Sequence, residues 1–227
     1  MPIFQIGKDD PFPPLDLAEP NGLLAIGGEL SVNRLIQAYS QGVFPWNNAD
    51  SPLCWWSPDP RMVLEPKNFH LSHSMRSLLR KETFTIALDT CFSDVLKGCA
   101  QTPRGEGLGT WLHPRLQQEL IQLHLKGMAH SVEVFIGERL VGGLYAIQIG
   151  SMFFGESMFS LVNNASKAAL YALCQSLPER CLIDCQQHTD HLESLGARLI
   201  PRSEFQRRSR ELQKETLHWT LADIYPF

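Results

Sequence analysis

Residues Ser131–Phe154 read SVEVFIGERLVGGLYAIQIGSMFF, and the chain continues Gly155-Glu156-Ser157-Met158-Phe159-Ser160. β-Branched and aromatic residues dominate Ser131–Ile136 and Leu140–Ile149, while Gly137-Glu138-Arg139 and Gly150-Ser151 supply turns. That pattern predicts an antiparallel meander of three strands, the third ending at Phe154. Downstream, Asn163 or Asn164 is placed to cap a helix with Leu170, Leu173, Cys174 and Leu177 on one face. Cys181–Cys185 reads as a short buried strand, Asp190–Leu195 as a helical turn closed by Gly196, and Arg198–Ile200 as a last strand before a basic helix after Pro201. Upstream, Thr83–Leu88 alternates like a strand and Phe92–Cys99 reads as a helix. Pro114 opens a helix that Gly127 ends. From residue 82 the order is β-α-α-β-β-β-α-β-α-β. This predicts an α+β fold, a mixed sheet covered by helices.

The first part of the chain reads differently. Residues 1–30 are rich in proline and glycine and predict irregular chain with turns. Ser31 can cap a short helix with Leu35, Ile36 and Tyr39 on one face, closed by Gly42. Two aromatic-proline clusters follow, Val43-Phe44-Pro45-Trp46 and Cys54-Trp55-Trp56-Ser57-Pro58-Asp59-Pro60-Arg61. Their prolines argue against regular structure between them. Trp55 and Trp56 are expected to pack two domains together. A small N-terminal domain is therefore expected at about residues 1–60, with the main domain at 61–227. Ser72 can cap a helix through Lys81 with Met75, Leu78 and Leu79 inward.

Hydrophobic residues make up 44% of the 227 and charged residues 19%, enough apolar content for a sizeable core. No apolar run reaches the roughly 18 residues a membrane span needs. Met1-Pro2-Ile3-Phe4-Gln5 lacks the features of a signal peptide, so a cytoplasmic location is expected. The six cysteines then read as reduced thiols. A net charge of −4 does not favour nucleic acid. Basic residues nevertheless cluster as Arg61, Lys67, Arg76, Arg80 and Lys81, and again as Arg202, Arg207, Arg208, Arg210 and Lys214. Arg76, Arg80 and Lys81 are the chosen phosphate contacts, with the second cluster read more readily as a solvated helix face.

Four stretches together resemble the leucyl/phenylalanyl-tRNA–protein transferase family. They are Asn21–Leu30; Gly42–Trp46 with Trp55–Arg61; Gly155–Ser160 with Asn164-Ala165-Ser166-Lys167; and Leu182–Gln186 with Ser194-Leu195-Gly196-Ala197. They come in the family's order over about residues 20 to 200. The resemblance implies a GNAT-like acyltransferase domain behind a small N-terminal one. It implies transfer of leucine or phenylalanine, less readily methionine, from Leu-tRNA, Phe-tRNA or Met-tRNA. The acceptor would be the α-amine of a protein beginning with arginine or lysine, which marks that protein for degradation. No cofactor, metal or membrane is implied.

Such a reaction needs a dry pocket for an apolar side chain, a stacking surface for the terminal adenosine, and polar groups beside the ester. By resemblance, the pocket is lined by Leu144, Phe153, Leu170, Leu173 and Ile183. Leucines at 144 and 173 stand where the family can have methionine and phenylalanine. Trp46 and Trp111 match its adenine-contacting tryptophans, whose stacking is worth ~1–3 kcal/mol per base. Asp184 and Gln186 alternate on one strand, which puts both on one face. In the family the aspartate of that pair is proposed to polarise the glutamine carbonyl, which draws the attacking amine. Here Gln186 is expected to orient the amine, while Asp184 orients Gln186 and offsets positive charge. Glu156 would hold the aminoacyl ammonium or the incoming cationic N-terminus. Phe153 would be pocket wall, with Met158 and Phe159 packed behind. Thr189 stands where the family can have asparagine near the acceptor.

Three other readings compete. Arg104-Gly105-Glu106-Gly107-Leu108-Gly109 fits an acetyl-CoA pyrophosphate loop, but it follows no apolar strand. Cys181, Cys185, His188 and His191 include zinc-ligand types at non-standard spacing. A non-enzymatic tRNA-binding protein would not need pocket, stacking and amide residues together.

Overall fold

A computed structural model describes residues 3–47, 51–79, 84–102 and 111–219. The first sheet contains β1 (Phe4–Ile6), β2 (Leu23–Gly27), β3 (Phe44–Pro45) and β4 (Cys54–Trp56), in the order β1-β2-β4-β3. This corrects the expectation of irregular chain. The strands are too short to display alternation, and each is held by a distant partner, as Phe4 is by Ala25 and Leu23 by Trp56. Trp55 is buried within this sheet rather than between domains; its Nε1 donates to Gly27 O at 2.9 Å and its ring meets Phe12 edge-on. Helix α1 (Val32–Gln41) begins where Ser31 Oγ accepts the Arg34 amide and stops at Gly42, whose φ of 81° a side chain would strain.

The remaining elements are β5 (Arg61–Leu64), α2 (His73–Leu79), β6 (Thr85–Leu88), α3 (Phe92–Gln101), α4 (Pro114–Leu125), β7 (Ala129–Ile136), β8 (Arg139–Ile149), β9 (Met152–Ser160), α5 (Ala165–Ser176), β10 (Leu182–Gln186), α6 (Asp190–Ser194), β11 (Arg198–Ile200) and α7 (Arg202–Leu212). The strands form a seven-stranded sheet in the order β11-β5-β10-β9-β8-β7-β6, with β9 and β10 parallel and the other neighbours antiparallel. The fold is α+β. Two strand expectations change. Arg61–Leu64 is a central strand between β11 and β10. The third meander strand runs through to Ser160, so the whole Phe153–Ser160 stretch is extended. At the start of α5, Asn164 makes no side-chain cap; Ser160 Oγ accepts the Ser166 amide at 2.8 Å instead.

Apolar side chains fill both faces of this sheet. One layer joins α3, α4, α1 and the first sheet, through Val95, Leu120, Tyr39 and Phe154. The other joins α2 and α5 to Leu144, Phe153 and Ile183. Among the described residues, no helix is long and apolar enough to cross a membrane. Arg80, Lys81 and the Arg104–Gly109 loop lie outside the described residues, as does the end of the helix expected to reach Lys81.

Candidate active site

Two irregularities on neighbouring strands shape the site. On β9, Gly155 pairs with Ala146 and Ser157 with Tyr145, so Glu156 is an extra, bulged residue. On β10, Asp184 pairs with Val63 and Gln186 with Met62, which leaves Cys185 extra. A bulge bends its strand and re-aims nearby side chains. Gln186 has φ 64°, left-handed backbone that a residue with a side chain rarely adopts. The parallel ladder between β9 and β10 covers Met152–Phe154 and Leu182–Asp184, and the site lies where the pairing stops.

A chain of polar contacts fixes this point. Arg61, 1% exposed, grips fully buried Asp184 with both ends of its fork, Nε to Oδ1 at 2.8 Å and Nη2 to Oδ2 at 2.6 Å. Its Nη1 donates to Gly42 O at 3.2 Å, and its guanidinium sits 4.8 Å from the Phe44 ring centre and 4.7 Å from that of Phe205. Asp184 Oδ1 also accepts the Gln186 backbone N–H at 2.8 Å, which holds the left-handed turn. Gln186 Nε2 donates to Glu156 Oε1 at 2.7 Å. The fully buried Tyr39 hydroxyl faces the Glu156 carboxyl from α1 and has no closer hydrogen-bond partner among the described residues. Strict alternation on β10 therefore fails: Asp184 orients Gln186 through its main chain, and the two side chains go to different partners.

Arg61, assigned from sequence to a phosphate-binding patch, is instead the buried counter-charge of Asp184. In the second basic cluster, Arg202 donates to Ser57 O, Arg208 pairs with Glu65 at 2.8 Å, and Arg207 pairs with Glu211. Arg76 is exposed on α2.

Beside the polar chain lies a cavity of about 330 Å³. Leu144, Leu170, Leu173 and Ile183 line it together with Met158 and Leu192, while Glu156, Gln186, Thr189 and His191 supply polar groups. Phe153 does not line it; this fully buried residue stands beside Ile183 in the parallel register. Met158, expected behind the pocket, is in its wall, whereas Phe159 packs on the opposite sheet face. Neither Trp46 nor Trp111 borders the cavity. Trp46 is 42% exposed, its ring 5.6 Å from that of Trp56, and Trp111 is partly buried against the core. The cysteine-histidine set does not come together. Among the described residues, the group of side chains close enough to share an ion is exposed His188, Asp190 and Glu193, without either cysteine.

Sequence reasoning missed Arg61 and Tyr39. Their signals were a cation opening the apolar run Arg61-Met62-Val63-Leu64 and a hydroxyl on the inward face of a helix.

Burial pushes the Glu156 carboxyl up to about 8, with the Asp184 charge adding to the rise, while Tyr39, Arg61 and Gln186 oppose it. Folding raises this pKa from 4.5, so the folded state holds the proton over that interval and the unfolded state does not. The associated stability is fully present below 4.5 and is lost as pH rises toward 8. Glu156→Gln should therefore flatten the fall in urea-unfolding free energy across this range; an unchanged slope would assign the effect to another group.

The family described as leucyl/phenylalanyl-tRNA protein transferase matches residues 63–210, and its N-terminal domain matches residues 28–59. The leucyl/phenylalanyl-tRNA–protein transferase of Azotobacter vinelandii strain DJ is 54% identical over 199 residues, 86% of this chain and 87% of that protein. The one of Syntrophotalea carbinolica is 51% identical over 90% of each chain. The one of Nitrosomonas europaea is 48% identical over 96% of this chain and 95% of that protein. With a family match over most of its length and relatives at this identity, the chain belongs to the leucyl/phenylalanyl-tRNA–protein transferase family.

Proposed function

We propose that this protein transfers leucine or phenylalanine, and methionine less readily, from aminoacyl-tRNA to the α-amine of proteins that begin with arginine or lysine. The acceptors so marked enter degradation through the N-degron pathway. The observation that carries this reading is an apolar cavity with a buried carboxyl and an immobilised amide beside its wall. The cavity takes a side chain without charge or branching polar groups. Apolar walls discriminate by only about 1–3 kcal/mol per methylene, which suits two substrates of different shape.

The donor ester is already activated, so the protein's task is placement and charge management. With its Nε2 engaged by Glu156, Gln186 has its carbonyl oxygen left to accept an N–H of the attacking amine. Arg61 and Asp184 keep that amide in place. The attacking nitrogen has an ordinary pKa near ~7.7–8.0 and must shed a proton. Glu156, joined to Gln186 and holding a proton up to about pH 8, exchanges protons in the same range. Asp184 is fully engaged by Arg61 and the Gln186 amide, which makes it a positioning residue. Trp46 and Trp111 are assigned to the adenosine, and Arg76, Arg80 and Lys81 to tRNA phosphates.

The deciding experiment is transfer of labelled leucine and phenylalanine from their tRNAs to matched peptides beginning with arginine, lysine or alanine. Transfer to the first two alone is expected; label on the alanine peptide, or none at all, would sink the acceptor assignment. For the phosphate footprint, Arg76→Ala should weaken binding of Leu-tRNA and Phe-tRNA equally and reduce the log–log salt slope by about one. An unchanged slope would remove Arg76 from the footprint.

A further inference from the structure

The chain beyond α7 turns back across the β8–β9 turn, where no aminoacyl-binding residue has been placed. Gly150, with φ 62°, allows this close passage, because a Cβ there would meet the Leu212 carbonyl. Ser151 N donates to Leu212 O at 2.9 Å. Glu215 is then held at Oε2 by Ser151 Oγ at 2.6 Å and by Arg180 Nε at 2.8 Å. Gln148 anchors the rest with both ends of its amide. Its Nε2 donates to Leu217 O at 3.0 Å, and its Oε1 accepts Trp219 Nε1 at 2.8 Å. The Trp219 ring meets Phe153 edge-on, centroids 5.4 Å apart, and His130 at 5.5 Å.

Phe153 connects this strap to the cavity. It is the register partner of Ile183, which lines the cavity, and it lies two residues before Gly155, which also lines it and brings no side chain. Phe153 is thus not itself in the cavity wall but next to two residues that are, with the Trp219 ring against its edge. A hollow of about 380 Å³ bordered by Gln148, His130 and Trp219 lies on the strap side. If the indole were trimmed, Phe153 would have room to retreat.

We propose that Trp219 is a positioning residue for substrate choice: the Glu215–Trp219 strap holds Phe153 forward and so sets the depth of the aminoacyl side-chain cavity. This rests on the transfer reading above. Trp219→Ala deepens the cavity and favours the longer phenylalanine side chain over leucine. The readout is the ratio of kcat/KM for Phe-tRNA to that for Leu-tRNA, which a general loss of structure would not shift. Trp219→Ala should raise the ratio about tenfold or more, the scale of a change of one methylene in an apolar pocket. Trp219→Phe should restore most of it, and Gln148→Ala, which frees the strap without touching the cavity, should raise it too. Binding of phenylalanine ethyl ester against leucine ethyl ester, followed by calorimetry, reads the same depth without catalysis. Ratios that stay unchanged in both assays overturn the proposal. A wild-type protein that transfers neither amino acid, with an ester ratio that still moves in Trp219→Ala, would overturn the transfer reading and leave the strap's role standing.

Discussion

Asp184→Asn is expected to destabilise the protein by about 3–5 kcal/mol and to lower transfer turnover about a hundredfold or more. The substitution keeps the shape of the side chain but leaves the Arg61 guanidinium buried without its counter-charge. An unpaired buried cation is far more costly than the pair is worth. Stability and activity should then separate in a double variant. Arg61→Met with Asp184→Leu replaces the pair by apolar volume between the Phe44 and Phe205 rings, a kind of exchange that is often neutral for stability. It also removes the oxygen that accepts the Gln186 amide. Urea unfolding should recover toward wild type while turnover stays low. Recovery of both would mean that Asp184 serves only to neutralise Arg61.

Gln186→Gly should give the opposite combination. Glutamine at φ 64° holds a backbone conformation that costs on the order of 1 kcal/mol or more, and glycine adopts it freely. The variant loses the bond to Glu156 but relieves that strain, so its stability should stay within about 1 kcal/mol of wild type. Turnover should fall by about 10²–10³, the range seen when one preorganised polar group is removed from an acyl-transfer site. Binding of aminoacyl-tRNA should survive, because the apolar cavity is intact. A Gly variant with near-normal turnover would exclude the amide from the chemistry.

Much of the main sheet could be read from local pattern. The β7–β8–β9 meander has turn residues at both of its reversals, and α1 carries a start signal, Ser31, and a stop signal, Gly42. The first sheet was not legible, because β3 has two residues and β4 three, and their order comes from pairing across the fold. Strand β5 was hidden for a related reason: its two sheet neighbours, β10 and β11, lie far along the chain. At the site, the alternation rule placed Asp184 and Gln186 on one face, and a bulge defeated it. Bulges leave no mark in a residue pattern when the extra residue is as ordinary as Cys185. The residue pattern ends the third meander strand at Phe154 and leaves Glu156 outside it, whereas the strand runs on through Glu156 to Ser160. The two partners of Glu156 are Gln186 and Tyr39, which come from elements on either side of it in sequence.

The place of β5 in the sheet has a consequence for how the protein comes into being. Arg61 and Asp184 are 123 residues apart in sequence, and β5 has its sheet partners in β10 and β11. Closing so long a loop is slow, because its entropy is spent before the contacts return anything. During synthesis, strand β5 emerges early and waits with a cation that has no counter-ion until β10 follows. The polar chain from Gly42 through Arg61 to Gln186 can close only once β10 has been made. A nascent or partly unfolded chain carries the apolar cavity walls on β8, β9 and α5 without the clamp that holds the amide. Competence for transfer thus arrives with completion of the fold.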